Sequence, residues 1–138
     1  MKKVFIDTNI VIDLLSRRLP FFEEAAELFS LADKKQIKLA VSSLTFANTS
    51  YVLLKQIDSS KAKSVLRKLK LILKVLLLDD KIIGLALNDE TFSDFEDSLQ
   101  YFTAIEGEQD IIITRNLKDY KNSKLPTMTA KQFIESIK

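Results

Sequence analysis

The sequence predicts an α/β fold, a parallel sheet with helices on both faces, and three observations carry that prediction. Short apolar runs alternate along the chain with segments of helical periodicity. The first run, Val4-Phe5-Ile6, passes directly into Asp7-Thr8-Asn9 and then into the helical pattern Ile10, Val11, Leu14, Leu15. Near the other end Ile112-Ile113-Thr114 passes into Arg115-Asn116-Leu117-Lys118-Asp119 in the same way. In an open parallel sheet such handovers lie at the carboxyl edge, where ligands bind.

The elements follow in order. A strand at residues 3–7 leads to a short helix that ends near Arg17 and Arg18, with Pro20 marking the break. Phe22, Ala25, Ala26, Phe29 and Ala32 define a second helix, and residues 37–41 a second strand. Leu44, Ala47, Tyr51 and Leu54 fall on one helix. Ala62, Val65, Leu66, Leu69, Ile72 and Leu73 fall on the next, whose other faces carry Lys61, Lys63, Arg67, Lys68, Lys70 and Lys74 as a solvated surface. Residues 75–78 form a third strand, and 81–87 and 93–106 two further helices, the latter ended by Gly107. Ser93 with Glu96 reads as a capping box that fixes its start. Residues 110–114 are a fourth strand, 125–129 a candidate fifth, and 130–137 a last helix. The 138 residues suit one domain, 1–138, and show no repeat or linker.

Composition narrows the chemistry. The chain has no cysteine and no histidine, which excludes disulfides, thiolate nucleophiles and imidazole bases. Catalysis must run on carboxylates, amides, hydroxyls, Lys or Arg, and a metal would be a hard one such as Mg²⁺ or Mn²⁺. Only Gly84 and Gly107 occur, too few for a P-loop or a dinucleotide fingerprint. A dehalogenase-like phosphatase would carry a second carboxylate two residues after Asp7, where this chain has Asn9. The net charge of +2 is weak evidence for an anionic partner. No apolar stretch reaches the roughly 18 residues of a membrane span, and nothing resembles a signal peptide, so a cytoplasmic protein without membrane contact is expected.

Each candidate residue has a structural reading beside the functional one. Asp7 at a strand end can cap the following helix. Asp94, read as the first helical residue, and Asp97, about one turn in, share a helix face, where carboxylates also favour the positive end of the dipole. Asn116 and Asp119 suit a polar loop. Their common placement at strand-to-helix junctions is the stronger signal, because carboxylates that share a site repel one another unless a cation offsets them or one stays protonated.

Four segments, Phe5-Ile6-Asp7-Thr8-Asn9, Val41-Ser42-Ser43-Leu44-Thr45, Asp94 to Tyr101 and Ile113 to Tyr120, together resemble a PIN domain in order and spacing, over essentially the whole chain. The resemblance implies a three-layer α/β/α sandwich around a central parallel sheet of four or five strands. It also implies metal-dependent ribonuclease activity of the kind found in VapC-type toxins of toxin–antitoxin pairs. By position, Asp7 and Asp97 match catalytic acids that hold Mg²⁺ or Mn²⁺, with Asp94, Asn116 and Asp119 as further metal-site groups and Asn9, Asn48 and Thr114 as supporting residues. Many members have a glutamate in the helix where this chain reads Asn48, which is neutral and cannot act as a base.

The expected substrate is single-stranded RNA, whose phosphates are accessible without melting a duplex. Arg115, Lys118 and the lysines of residues 61–74 are candidates for steering its backbone. The resemblance adds a small antitoxin and a second copy of the chain as partners. Phe21 and Phe22 beside Pro20 could serve such a contact, although aromatic residues at a helix start are more often core. The alternative expectation, favoured by Asn48, is a non-catalytic module that binds RNA or a protein.

Overall fold

A computed structural model describes residues 1–138. Five parallel strands form one sheet in the order β3-β2-β1-β4-β5: β1 (Lys3–Ile6), β2 (Lys38–Ser42), β3 (Lys74–Leu76), β4 (Ile111–Ile113) and β5 (Thr127–Met128). Seven helices connect or flank them: α1 (Thr8–Leu15), α2 (Phe22–Asp33), α3 (Ser43–Leu53), α4 (Ser59–Ile72), α5 (Asp80–Asn88), α6 (Phe95–Glu106) and α7 (Ala130–Ser136). The chain builds outward from β1 to β3 and then returns to the other side of β1 with β4. The order therefore reverses between β1 and β4, and the crevice beyond their carboxyl ends is a topological switch point.

The central strands are apolar on both faces, as a sheet covered on both sides requires. Val4, Ile6, Leu39, Val41, Ile111 and Ile113 point to one side, against Ile10 and Val11 of α1, Ala25, Leu28 and Phe29 of α2, Leu69 of α4 and Phe133 and Ile134 of α7. Phe5 and Ile112 point to the other, against Tyr101 and Ala104 of α6 together with Phe92 and Tyr120. A small satellite joins Ile82 and Ala86 of α5 to Leu99 of α6. Fully burying a side chain of this size contributes about 1.5–3 kcal/mol, so the larger layer supplies most of the hydrophobic stabilisation. The helices thus cover both faces, giving the expected three-layer sandwich, and residues 127–128 do pair as the fifth strand.

Two local expectations are corrected. The capping box of Ser93 and Glu96 does not form: α6 starts one residue later than that box requires. Asp94 is its N-cap rather than its first helical residue, accepting from the Asp97 backbone N–H at 3.0 Å. Asp and Ser cap comparably, so the choice falls to the residue that also places Glu96 toward α3. Gly107 does end α6, but with φ −83° it is not needed for a left-handed turn. A Cβ there would lie 2.7 Å from a Leu76 methyl carbon, so the glycine makes room for β3.

Candidate functional site

Asp7 caps α1, and its carboxylate is held by neutral donors: Oδ1 accepts from the Thr8 backbone N–H at 2.8 Å and Oδ2 from the Thr114 hydroxyl at 3.0 Å. The structural and the functional reading of this residue are therefore compatible, since each oxygen keeps a further lone pair. The Asp7 backbone N–H continues the sheet to Ile113 O at 3.0 Å. Thr114, fully buried, in turn accepts from the Asn116 N–H at 3.0 Å and so ties the two sides of the switch point together.

A cleft of about 410 Å³ opens there, lined by acids from three separate segments: Asp7, then Asp94, Glu96 and Asp97, then Asp119. Asn9, Asn48 and Asn116 complete its polar wall, and no lysine or arginine lines it. The structure thus brings together every residue proposed from sequence for the metal site, with Thr114 directly behind Asp7. Burial pushes the Asp7 carboxyl above the usual carboxylate range against the pull of its Thr114 and Thr8 hydrogen bonds. Asp97 is pushed up to about 7, first by burial and then by the negative charges of Asp94, Asp7, Asp119 and Glu96. The buried Tyr120 phenol is raised for the same reasons and stays protonated, and its hydroxyl has no hydrogen-bond partner. No three carboxylates approach closely enough to form a ready-made metal cage.

One group at the cleft and one buried behind it were not singled out by sequence reasoning. Glu96, assigned there to the cap, accepts from the Asn48 amide nitrogen at 2.7 Å, joining α6 to α3. Gln100, buried one turn beyond Asp97, donates to the Thr8 hydroxyl at 3.0 Å and lies 3.4 Å from that of Thr45. The two hydroxyls themselves are 2.8 Å apart. This buried network fixes α1, α3 and α6, the helices that carry Asp7, Asn48 and Asp97. A glutamine on the apolar face of an otherwise amphipathic helix was the signal for it.

The basic candidates lie elsewhere. Arg115 lines a separate pocket with Asp13, Pro20, Phe21 and Glu24. Its Nε lies 2.9 Å from Asp13 Oδ2, and its guanidinium carbon 4.1 Å from the centre of the Phe21 ring. Lys118 is exposed in the 3-10 turn Leu117–Tyr120, beside Asp119. None of the residues around the acidic cleft comes from α4, so its lysines do not share that surface. Another cavity, of about 630 Å³, is lined by Lys3 and Lys38 at the starts of β1 and β2, the amino edge of the sheet and away from the acids of the cleft. No helix is long and apolar enough to cross a membrane.

Comparison with known proteins fits this arrangement. Ribonuclease VapC1 of Aquifex aeolicus is 28% identical over 138 residues, covering 97% of this chain and 94% of that protein. The crystal structure of VapBC2 from Rickettsia felis bound to a promoter DNA fragment contains a chain that superposes with a TM-score of 0.69. The identity is 21%, and the match covers 92% of this chain and 98% of that one. A chain of a toxin–antitoxin complex from Klebsiella pneumoniae gives 0.68 at 23% identity, covering 92% and 97%. At these identities the two structures establish a shared fold. The sequence model described as PIN domain matches residues 3–118, a span that contains Asp7, Asp94, Glu96 and Asp97 of the cleft and ends just before Asp119, and on that match the chain belongs to the PIN domain family.

Proposed function

We propose that the protein is a ribonuclease that cleaves single-stranded RNA with the help of Mg²⁺ or Mn²⁺, and that it is the toxin of a toxin–antitoxin pair. The observation that carries this reading is the cleft itself, five carboxylates at a topological switch point with no basic residue in its wall. Such a surface repels a phosphodiester unless a cation stands between them. The donor set is all oxygen, which suits a hard ion, and Mg²⁺ characteristically takes one or two carboxylates and keeps several waters, so a cage of three is not required. Asp7 and Asp97 would hold the ion, with Asp94, Asp119 and Asn116 around it and Asn9, Asn48 and Thr114 in support. A bound ion of this kind lowers the pKa of water and offsets charge on phosphate oxygens.

The chain's own residues supply the rest. Thr8 and Thr114 fix the Asp7 carboxylate in one orientation. Burial and the surrounding acids push the Asp97 carboxyl up to about 7, a repulsion that a cation in the cleft would offset. Lys118, exposed beside Asp119, would meet a phosphate of the same strand outside the acidic wall, whereas the Arg115 guanidinium is already engaged by Asp13. Cleavage of an unstructured RNA with Mg²⁺ or Mn²⁺ is expected from the parent and not from Asp7→Asn. Equal activity in both would end the assignment to this cleft.

The toxin role draws support from the relatives, a VapC ribonuclease and chains from complexes described as VapBC and toxin–antitoxin. Its test is co-purification with a small protein encoded beside this gene. A second reading, an RNA- or protein-binding module without turnover, is favoured by the neutral Asn48 and by the absence of three converging carboxylates. RNA binding without cleavage under Mg²⁺, Mn²⁺ or no metal would select it.

A further inference from the structure

We infer that Glu96 is a cation-binding group of the cleft and that Asn48 is its positioning residue. The inference rests on the cation site proposed above and adds one carboxylate to it. The two side chains meet across the cleft wall, the Asn48 amide nitrogen 2.7 Å from Glu96 Oε1, and both line the same space as Asp7 and Asp97. Glu96 forms no ion pair within the protein, and its second oxygen accepts no hydrogen bond from it. Asn48 is thus the one contact that orients it.

The chemistry of the contact explains the amide. A carboxylate on α3 at this point would face the Glu96 carboxylate at hydrogen-bond distance, and the two would repel. An amide instead donates to the carboxylate and holds it in one orientation. The negative charge on this side of the cleft therefore sits on α6 and is aimed from α3. Hard-cation sites gain affinity with each carboxylate they present, so an aimed glutamate strengthens a site in which no three carboxylates converge.

The test is calorimetric titration of Mn²⁺ into the full chain, which reads the site without RNA. Glu96→Gln keeps the shape and the acceptor for Asn48 but removes the charge, and should weaken Mn²⁺ binding by about 10-fold, the lower end of what outer groups contribute to metal sites. Asn48→Ala should weaken it less, by about 3-fold, since the charge stays but is no longer held. The double variant Asn48→Glu with Glu96→Gln moves the carboxylate back to α3 and should recover binding relative to Glu96→Gln alone. Asp7→Asn is the reference for the site as a whole. If Asp7→Asn loses binding while Glu96→Gln keeps it, the site stands and Glu96 has no part in it. If the parent binds no Mn²⁺, or Asp7→Asn binds it as the parent does, both the site and this inference are overturned. Unchanged affinity in Asn48→Ala removes the positioning role. Melting curves with EDTA show each variant folded before titration.

Discussion

Asp7 and Asp13 belong to the same helix, one as its cap and one six residues on, and both are buried, 6% and 0% exposed. Burial raises both carboxyls, yet their surroundings differ in kind. Asp13 has a cation of its own, Arg115 at 2.9 Å, with Arg18 contributing from farther off. Asp7 has neutral donors in contact and other acids around it. A carboxylate neutralised inside the protein is a structural device, because its charge is already spoken for. One held by hydroxyl and amide groups in an acidic cleft keeps its charge available for a cation from solution.

The largest expected effect lies on the Asp13 side. Removing one partner of a buried ion pair leaves an uncompensated charge and costs about 3–5 kcal/mol. Arg115 is partly exposed, its side chain 25% accessible, so Arg115→Met should lose stability at the lower end of that range in urea unfolding. Replacing both partners, with Asp13→Asn added, should recover a substantial part. A loss under about 1 kcal/mol in Arg115→Met would mean that Asp13 is held by its surroundings without the pair.

Asp7→Asn should show the opposite division. Asparagine caps a helix about as well as aspartate, and its carbonyl oxygen can still accept from Thr8, so the melting temperature should not fall, and near neutral pH removal of a charge that burial opposes should raise it slightly. Nuclease activity should fall by about 100-fold or more, since a metal's stabilisation of a transition state is worth several kcal/mol and about 2.7 kcal/mol is 100-fold. A variant that melts well below the parent would put Asp7 in the structural class with Asp13.

A smaller effect is set by Asp97, raised to about 7 in the folded protein from about 3.9 in the unfolded chain. Between those values the folded state binds the extra proton, so this group's contribution makes stability fall as pH rises from about 4 to about 7. Below that window both states are protonated and nothing is gained or lost. In EDTA, Asp97→Asn should therefore melt at nearly the parent's temperature at pH 4 and a few degrees above it at pH 8. Millimolar Mn²⁺ should raise the parent at pH 8 and leave Asp97→Asn unmoved, because an ion that binds only the folded state stabilises it by mass action. A constant difference across pH would show that Asp97 does not carry its charge into the cluster.

The contrast between the two aspartates was only half legible in the sequence. Asp7 stood out because an apolar run ends on it, and the alternation of strands with helical periods correctly gave a parallel sheet and hence one carboxyl edge. Asp13 drew no attention, since a charge in a short helix reads as its solvated side. Its partner Arg115 lies far along the chain and was read as a candidate for RNA, because spacing in sequence carries no information about which cation meets which acid. Glu96 was absorbed by a capping box that Asp94 displaces. The hydrogen bond from Asn48 requires the packing of α3 beside α6, which periodicity alone does not fix.

The smallest expected effect concerns Thr114, the neutral donor that separates Asp7 from Asp13 in kind. Its hydroxyl donates to Asp7 Oδ2 and accepts from the Asn116 N–H, each at 3.0 Å, within a fully buried position. Thr114→Val preserves the shape and β-branched backbone preference of the strand end, so the packing loss is small, while an acceptor and a donor lose their partner. Asp7 and Asn116 both border the cleft, where water can replace part of what is lost, and the cost in stability should stay near 1 kcal/mol. The consequence for chemistry is positional: without the hydroxyl the Asp7 carboxylate can rotate about its remaining bond to Thr8. Activity should then fall several-fold at saturating Mn²⁺, and the metal concentration for half-maximal activity should rise. Thr114→Ser, which keeps the hydroxyl, should restore both. If Thr114→Val leaves the metal dependence unchanged, the orientation of Asp7 comes from the helix cap alone and Thr114 serves only to close the sheet.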